Sequence, residues 1–174
     1  MPPQTAFVAL LRAVNVGGTG KLPMADLKAM AEAAGFERVR TYIASGNLVF
    51  DSAFSEAQVK LTLEAALERY AGKPVGVMVR TAVEMRAVLD ANPFPDMAPN
   101  RTMAVFLDAA PPADTLDKVV APSGEEVRLG LREIYIHYGD GMADSKLKLP
   151  AAKTGTARNI NTVAKLAEMA AAAP

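Results

Sequence analysis

The chain has 174 residues, of which 51% are hydrophobic and 22% charged, a composition typical of a packed globular protein rather than a disordered one. Its 19 basic residues balance 19 acidic ones, so the net charge gives no indication of nucleic-acid binding, and the lack of cysteine excludes disulfides and thiolate chemistry. The single histidine, His137, excludes a multi-histidine metal site within one chain. We therefore expect neither a metal nor a cofactor.

The apolar run near the N-terminus predicts a protein that stays where it is made. Residues 6–11 form this run, which is far too short to span a bilayer. No basic segment precedes the run, in contrast to a secretory signal peptide. We expect a soluble, cytoplasmic protein that does not enter a membrane.

The first half of the chain predicts the element order β-α-β-β-α-β. Pro23 suits the first turn of a helix, and Ser55 with Gln58 has the spacing of a capping box at the start of a second helix. This order is the split βαβ pattern of ferredoxin-like folds. In chain order we predict a strand over 6–12, a helix from Pro23, a hairpin of strands 39–44 and 48–51, a helix over 55–72 and a strand over 75–80.

The second half repeats this order imperfectly. After a helix over 82–91, the proline-rich segment 92–95 marks the best boundary in the chain. No clear last strand follows the final helix, so this half is a degenerate copy. Its predicted elements are strand 102–107, a short helix 112–120, a hairpin of strands 127–131 and 133–138, and helix 160–171.

These elements together predict an α+β fold of two tandem ferredoxin-like (βαββαβ) halves, the second degenerate. The halves are residues 1–91, which include a linking helix, and residues 92–174, and we expect them to form one compact unit. Several strands are apolar on both faces. Their second faces must therefore be covered by the other half or by a partner chain, which leaves a homodimer open.

Three segments carry a resemblance to a known bacterial family. They are ALLRAVNVGG (9–18), YIASGNLVF (42–50) and GTARNINTV (155–163). With them the chain resembles the family catalogued as domain of unknown function 1697, over nearly its whole length. The resemblance implies a two-part α/β fold and brings no established activity, substrate or catalytic residue.

The chain departs from the family pattern at several positions. The family usually has glycine where Ala13 stands and tryptophan at Ile160. It also has glycine and arginine where Ala143 and Asp144 precede Ser145 and Lys146. Replacing an arginine by a carboxylate makes strong anion binding at that loop less expected.

The glycine-rich turn at 15–20 invites comparison with phosphate-binding loops but lacks their motifs. Asn15 stands at the first glycine of a Walker motif and Leu22 follows Lys21, while Pro23 stands where a dinucleotide fingerprint needs its last glycine. A strand–glycine loop–helix unit can still direct backbone N–H groups at an anion. The plainer interpretation is a tight turn that needs flexible residues.

Two further polar motifs interrupt otherwise apolar elements. Ser45-Gly46-Asn47 satisfies hairpin-turn geometry without any ligand. In the last motif, Thr156 or Asn159 suits the N-cap of the final helix, whereas Arg158 opposes the macrodipole there. Arg158 therefore either answers a carboxylate or binds an external anion. Lys146, beside Ser145, binds phosphate in one interpretation and is merely solvated in the other.

Our leading hypothesis is that these motifs gather into one site for a small anion, such as a nucleotide or another phosphorylated metabolite. Nucleic acid is not an expected partner, because the aromatic-basic pattern of ribonucleoprotein motifs is missing and the middle of the chain is acidic. The predicted ligand-binding residues are Arg12, Asn15, Gly17, Gly18, Lys21, Ser45, Asn47, Lys146, Arg158 and Asn159.

Two other classes of function stay open. One is a non-catalytic interaction or dimerisation module that docks a partner on its apolar sheet faces. The other is a metal-independent hydrolase or transferase with Ser45 or Ser145 as nucleophile. Neighbouring residues of an extended segment point apart, so Ser145 and Lys146 do not easily form a catalytic dyad. The sequence does not decide whether the protein is an enzyme.

Overall fold

The computed structural model describes residues 3–13, 21–139 and 145–172. Over these residues the protein is a mixed α/β structure with two four-stranded antiparallel sheets and four α-helices. The chain divides into two compact units, unit 1 (Met1–Met85 with Leu166–Pro174) and unit 2 (Arg86–Lys165). Each unit contains one of the sheets.

The sheet of unit 1 has the strand order β2-β3-β1-β4, with every neighbouring pair antiparallel. This is the element order that the sequence predicts for the first half, followed by helix α3 (Ala82–Asp90). The elements of unit 1 are β1 (Thr5–Leu11), α1 (Met24–Ala33), β2 (Glu37–Thr41), β3 (Asn47–Ser52), α2 (Glu56–Ala71) and β4 (Val77–Thr81).

The core of unit 1 forms where α1 and α2 cover one face of this sheet. Leu27 and Leu63, from the two helices, belong to the same buried cluster as Phe7 and Phe50 of the strands. The Phe50 ring stacks on Phe36 at a centroid distance of 4.4 Å. Consecutive residues of β1 are buried, so both of its faces are covered, as its unbroken apolar sequence predicts.

Local signals in the sequence fix both ends of α2. The backbone N–H of Gln58 donates to Ser55 Oγ at 3.2 Å, and the N–H of Ser55 donates to Gln58 Oε1 at 2.9 Å, so the predicted capping box is confirmed. At the other end Gly72 has a φ of 74°, and its N–H donates to Glu68 O at 2.9 Å. A left-handed glycine of this kind ends a helix without side-chain strain.

The sheet of unit 2 has the order β6-β7-β5-β8, again antiparallel throughout. Its last strand, residues 156–159, is a correction, because the sequence analysis predicts no strand between the second hairpin and the final helix. The predicted final helix is confirmed as α4. The strands are β5 (Thr102–Phe106), β6 (Glu126–Leu129), β7 (Glu133–His137) and β8 (Thr156–Asn159), and α4 (Ile160–Ala171) begins in unit 2 and ends in unit 1.

The short helix predicted over 112–120 is wrong for most of its length. Only Leu116–Lys118 form a single 3-10 turn. Val119 leaves the helical region with a ψ of 132°, and Val120 pairs with Lys148 in an isolated β-bridge. Two successive β-branched valines favour this extended backbone over a helix.

Each edge strand of the two described sheets carries an arginine that donates to a carbonyl oxygen of its own strand. Carbonyls at a sheet edge otherwise invite pairing with another strand. Each of these bonds satisfies one carbonyl oxygen of an edge strand. The bonds are Arg40 Nε to Arg38 O (3.0 Å), Arg80 Nη1 to Val79 O (3.0 Å), Arg128 Nη1 to Val127 O (2.9 Å) and Arg158 Nη1 to Ala157 O (3.0 Å).

Ile43 occupies a backbone conformation that β-branched residues rarely adopt. Its φ is 49° and its side chain is 50% exposed, in the segment between β2 and β3. The left-handed region costs an L-residue about 1–2 kcal/mol, and glycine avoids this cost. We therefore expect Ile43→Gly to raise the free energy of unfolding by about 1 kcal/mol, measured by urea denaturation.

Ile43→Val is the matched control, because it shortens the side chain but keeps the branched Cβ and the strain. We expect no gain in stability from this variant. A loss of stability in Ile43→Gly would contradict the prediction and would show that contacts of the isoleucine outweigh its backbone strain.

Candidate functional site

A cleft of about 400 Å³ lies in unit 1 beside the end of β1. It is formed by residues 12 and 13, residues 21 and 22, the last turn of α2 and the loop that leads into β4. Its volume is within the usual range for small-molecule sites, about 300–1,000 Å³.

Backbone hydrogen bonds hold the segments around the end of β1 in place. The N–H of Arg12 donates to Gly76 O at 2.9 Å, and the N–H of Leu11 donates to Gly46 O at 2.9 Å. A Cβ added at Gly76 would lie 3.6 Å from both Cβ and Cδ of Arg12, so the stem of this arginine runs close over the glycine backbone. Ala13, the next residue, has a φ of 55°. Glycine adopts this left-handed backbone without strain, which agrees with the glycine expected at that position from the family resemblance.

Three cationic side chains line the cleft, Arg12, Lys21 and Lys73. None of the described lining residues is acidic. A concave surface that carries charges of one sign focuses the electrostatic field and attracts counter-ions of the opposite sign. The larger apolar residues that line the cleft are Leu22, Leu67, Tyr70, Pro74 and Val75.

The Tyr70 ring is held in position at the rim of this cleft. Its hydroxyl donates to Asp26 Oδ2 at 2.8 Å, which links α2 to α1. This hydrogen bond, together with burial and the Asp26 charge, raises the pKa of Tyr70 above its ordinary value. The side chain is nevertheless 47% exposed, so the ring presents apolar surface to the solvent.

The structure brings only part of the predicted site into the cleft. Arg12 and Lys21 line it, whereas Asn15, Gly17 and Gly18 lie outside the described residues. Lys73 was missed by the sequence reasoning. It follows the glycine that ends α2, where a cation is expected simply to complement the helix dipole. Only the pairing of β1 with β4 reveals that it shares a cleft with Arg12.

The Ser45-Gly46-Asn47 turn lies next to the end of β1, and its side chains serve the turn. Asn47 is buried, and its Nδ2 donates to Tyr42 O at 2.8 Å and to Ser45 Oγ at 3.0 Å. Asn47 Nδ2 therefore has backbone and hydroxyl acceptors within the protein. This arrangement agrees with the plainer interpretation of the motif as a hairpin turn.

Arg158 and Asn159 belong to β8 in unit 2. Arg158 is 6% exposed, and its Nη1 donates to Thr156 Oγ1 at 2.7 Å as well as to Ala157 O. Burial lowers the pKa of Arg158 to about 10, so the guanidinium stays charged at neutral pH. Asn159 Oδ1 accepts from the N–H of Thr162 at 2.9 Å, which confirms the predicted N-cap of α4.

The other polar groups of unit 2 also have neighbours within the unit. Ser145 Oγ donates to Glu125 Oε2 at 2.8 Å, and Lys146 beside it is exposed. His137 Nδ1 lies 2.9 Å from Thr102 Oγ1, and its ring packs against Phe94. In the described part of the chain, no three His, Asp or Glu side chains gather into a group that could hold a metal ion.

Comparison with known proteins places the chain in a family. A family model described as protein of unknown function DUF1697 matches residues 4–135. The chain belongs to this family. All the described residues that line the cleft fall inside the matched DUF1697 region, whereas Lys146, Arg158 and Asn159 lie beyond it.

A solved structure confirms the fold of this DUF1697 protein. The conserved bacterial protein SP0830 from Streptococcus pneumoniae matches with a TM-score of 0.80 and 24% sequence identity, over 97% of this chain and 99% of that chain. At this identity the likeness shows the fold alone. No curated protein matches the chain significantly. Among the described residues, no helix is long and apolar enough to cross a membrane.

Proposed function

We propose that this DUF1697 protein binds a small anion, a nucleotide or another phosphorylated metabolite, in the cleft of unit 1. The observation that carries the proposal is that Arg12, Lys21 and Lys73 line one concave site. A concave surface that carries positive side chains attracts an anionic ligand. The cleft is therefore suited to a small anion.

The types of cation favour phosphate over a simple halide. Arginine presents a planar fork of N–H donors that matches two phosphate oxygens, and lysine adds a mobile point charge. Arg12 lies at the end of β1 and Lys73 on the loop before β4, so they approach a ligand from neighbouring strands. A phosphate between them would accept from both side chains.

For the other described candidates a part in ligand binding stays a prediction. They are Ser45, Asn47, Lys146, Arg158 and Asn159. The cleft in unit 1 forms the site proposed here.

We also propose that each sheet represents one ferredoxin-like half. In support, both sheets place the first strand of the unit between the third and the fourth, with the second at the edge (β2-β3-β1-β4 and β6-β7-β5-β8). Unit 1 adds the two helices on one face that this pattern requires. In unit 2 a 3-10 turn stands where the first helix would be, which fits a degenerate copy.

A thermal-shift screen of dialysed protein tests the binding proposal. The panel contains inorganic phosphate, adenosine monophosphate, ribose 5-phosphate and chloride. A ligand at one hundred times its dissociation constant stabilises the folded protein by about 2.7 kcal/mol, which such a screen detects. We expect phosphorylated compounds to raise the melting temperature of the protein and chloride at the same ionic strength to leave it unchanged.

Lys73→Ala provides the test of the site. We expect it to weaken phosphate-ester binding about tenfold, because hydrogen bonds to charged groups contribute about 1.5–3 kcal/mol. Lys28→Ala is the matched control, since Lys28 is exposed on α1 and its removal changes the net charge equally. Equal losses of affinity in both variants would show that only the net charge matters and would contradict the proposal. A thermal-shift screen in which no phosphorylated compound stabilises the protein would contradict it as well.

A further inference from the structure

We infer that the ligand of this cleft carries a flat apolar body that lies against the Tyr70 ring, while its phosphate faces the cations. The inference rests on the proposed function and narrows its ligand class to phosphate esters that carry an aromatic group, of which nucleotides are one example. Its starting point is that the lining of the cleft combines cationic residues with apolar ones.

The apolar lining is more extensive than a bare anion requires. The apolar surface open to a ligand comes from the exposed Tyr70 and Pro74 and the partly exposed Val75. Leu22 and Leu67 belong to the buried core behind it. Apolar surface makes no hydrogen bond to an inorganic anion and displaces the water that hydrates it. The same surface stabilises a ligand that buries a hydrocarbon ring, by about 25 cal/mol for each Å² removed from water.

Tyr70 is the aromatic residue among the described lining residues, and internal packing does not account for its position. It lines the cleft on one side and, on the other, a second groove of about 250 Å³ between α1 and α2. Its ring is thus bordered by open space where a core residue would have neighbours. An exposed ring at the rim of a cationic cleft is suited to stacking on a planar ligand.

The hydrogen bond to Asp26 prepares Tyr70 for this role. Because the hydroxyl is fixed at 2.8 Å from Asp26 Oδ2, the ring loses little further freedom when a ligand binds. A purely structural alternative is that Tyr70 only ties α2 to α1 through this bond. The two roles differ in which part of the side chain matters, the ring or the hydroxyl.

Calorimetric titration with phenyl phosphate and methyl phosphate tests the inference, since these monoesters share a charge and differ in the ring. We expect the wild-type protein to bind phenyl phosphate about tenfold more tightly than methyl phosphate. A difference of this size is within the effect of one stacking contact. Tyr70→Ala should abolish this preference, so that the variant binds both esters with the same affinity. Tyr70→Phe keeps the ring and should keep most of the preference.

Leu61→Ala, on an exposed position of the same helix, should change neither affinity. Equal binding of both esters by the wild type would overturn the inference and leave the proposed anion site standing. Loss of the preference in Tyr70→Phe as complete as in Tyr70→Ala would also overturn it, since the hydroxyl rather than the ring would then matter. Binding of neither ester would overturn the proposed function and this inference together.

Discussion

Replacing Phe50 by alanine is expected to lower the free energy of unfolding by about 3–5 kcal/mol. Phe50 is 0% exposed and lies near the middle of β3, where its ring stacks on Phe36 at 4.4 Å and on Phe7 at 5.9 Å. Deleting the ring removes buried apolar surface and leaves a cavity that stacked aromatic neighbours cannot readily fill. Since domains are stable by only about 5–15 kcal/mol, this variant should lie close to unfolding.

Phe54→Ala is the matched control for this prediction. Phe54 meets the edge of the Phe36 ring at 5.9 Å and is 40% exposed, so it belongs to the margin of the same cluster. Its removal should cost about 1 kcal/mol, the size of one aromatic contact. Urea denaturation of both variants gives the comparison. Equal losses would show that the aromatic stack at Phe50 is not a centre of the core.

Gly155→Ala is expected to destabilise the protein by about 3 kcal/mol, at the upper end of the usual cost of overpacking. An added Cβ would lie 2.6 Å from Phe106 O, 2.8 Å from Leu107 Cδ2 and 2.8 Å from Val105 Cγ1. Phe106 pairs with the first residue of β8, so its carbonyl cannot retreat without disturbing the β5–β8 pairing. Because the φ of Gly155 is −98°, lack of space rather than backbone conformation demands glycine here.

Gly76→Ala serves as the control, since its added Cβ would make only ordinary contacts of 3.6 Å with Arg12. We expect the free energy of unfolding of this variant to differ from that of the wild type by no more than about 0.5 kcal/mol. Thermal and urea unfolding followed by circular dichroism separate the two cases. A Gly155→Ala variant as stable as Gly76→Ala would contradict the prediction, because it would show that the Phe106 carbonyl leaves room for a Cβ at residue 155.

The sequence predicts the elements with strong periodic or capping signals and misses those without them. Helix α4 is predicted at its observed bounds because its apolar residues recur at helical spacing, and α2 is fixed by the Ser55 capping box and by Gly72. Strand β8 has only four residues, Thr-Ala-Arg-Asn, and carries no apolar pattern. Its identity as a strand follows from pairing with β5, a non-local contact that no local pattern contains.

The part of the candidate site that has a local sequence pattern is predictable, and the part that depends on non-local contacts is not. Arg12 and Lys21 flank a glycine-rich turn, and this local pattern indicates anion binding. Lys73 joins them only because β4 pairs with β1. Arg158 is a different case, because its position before a helix indicates an anionic partner. In the structure its guanidinium donates to the Thr156 hydroxyl and the Ala157 carbonyl, and its part in ligand binding stays a prediction.

The most direct test of the central claim is to titrate the isotope-labelled protein with adenosine monophosphate and to follow its backbone amide resonances. We expect the largest shifts at residues 11–13, 21–22 and 70–76, around the cleft of unit 1. In Lys73→Ala the same shifts should require about tenfold more adenosine monophosphate. Resonances that do not move, or that move most at 156–159 in unit 2, would contradict the assignment of the ligand site to this cleft.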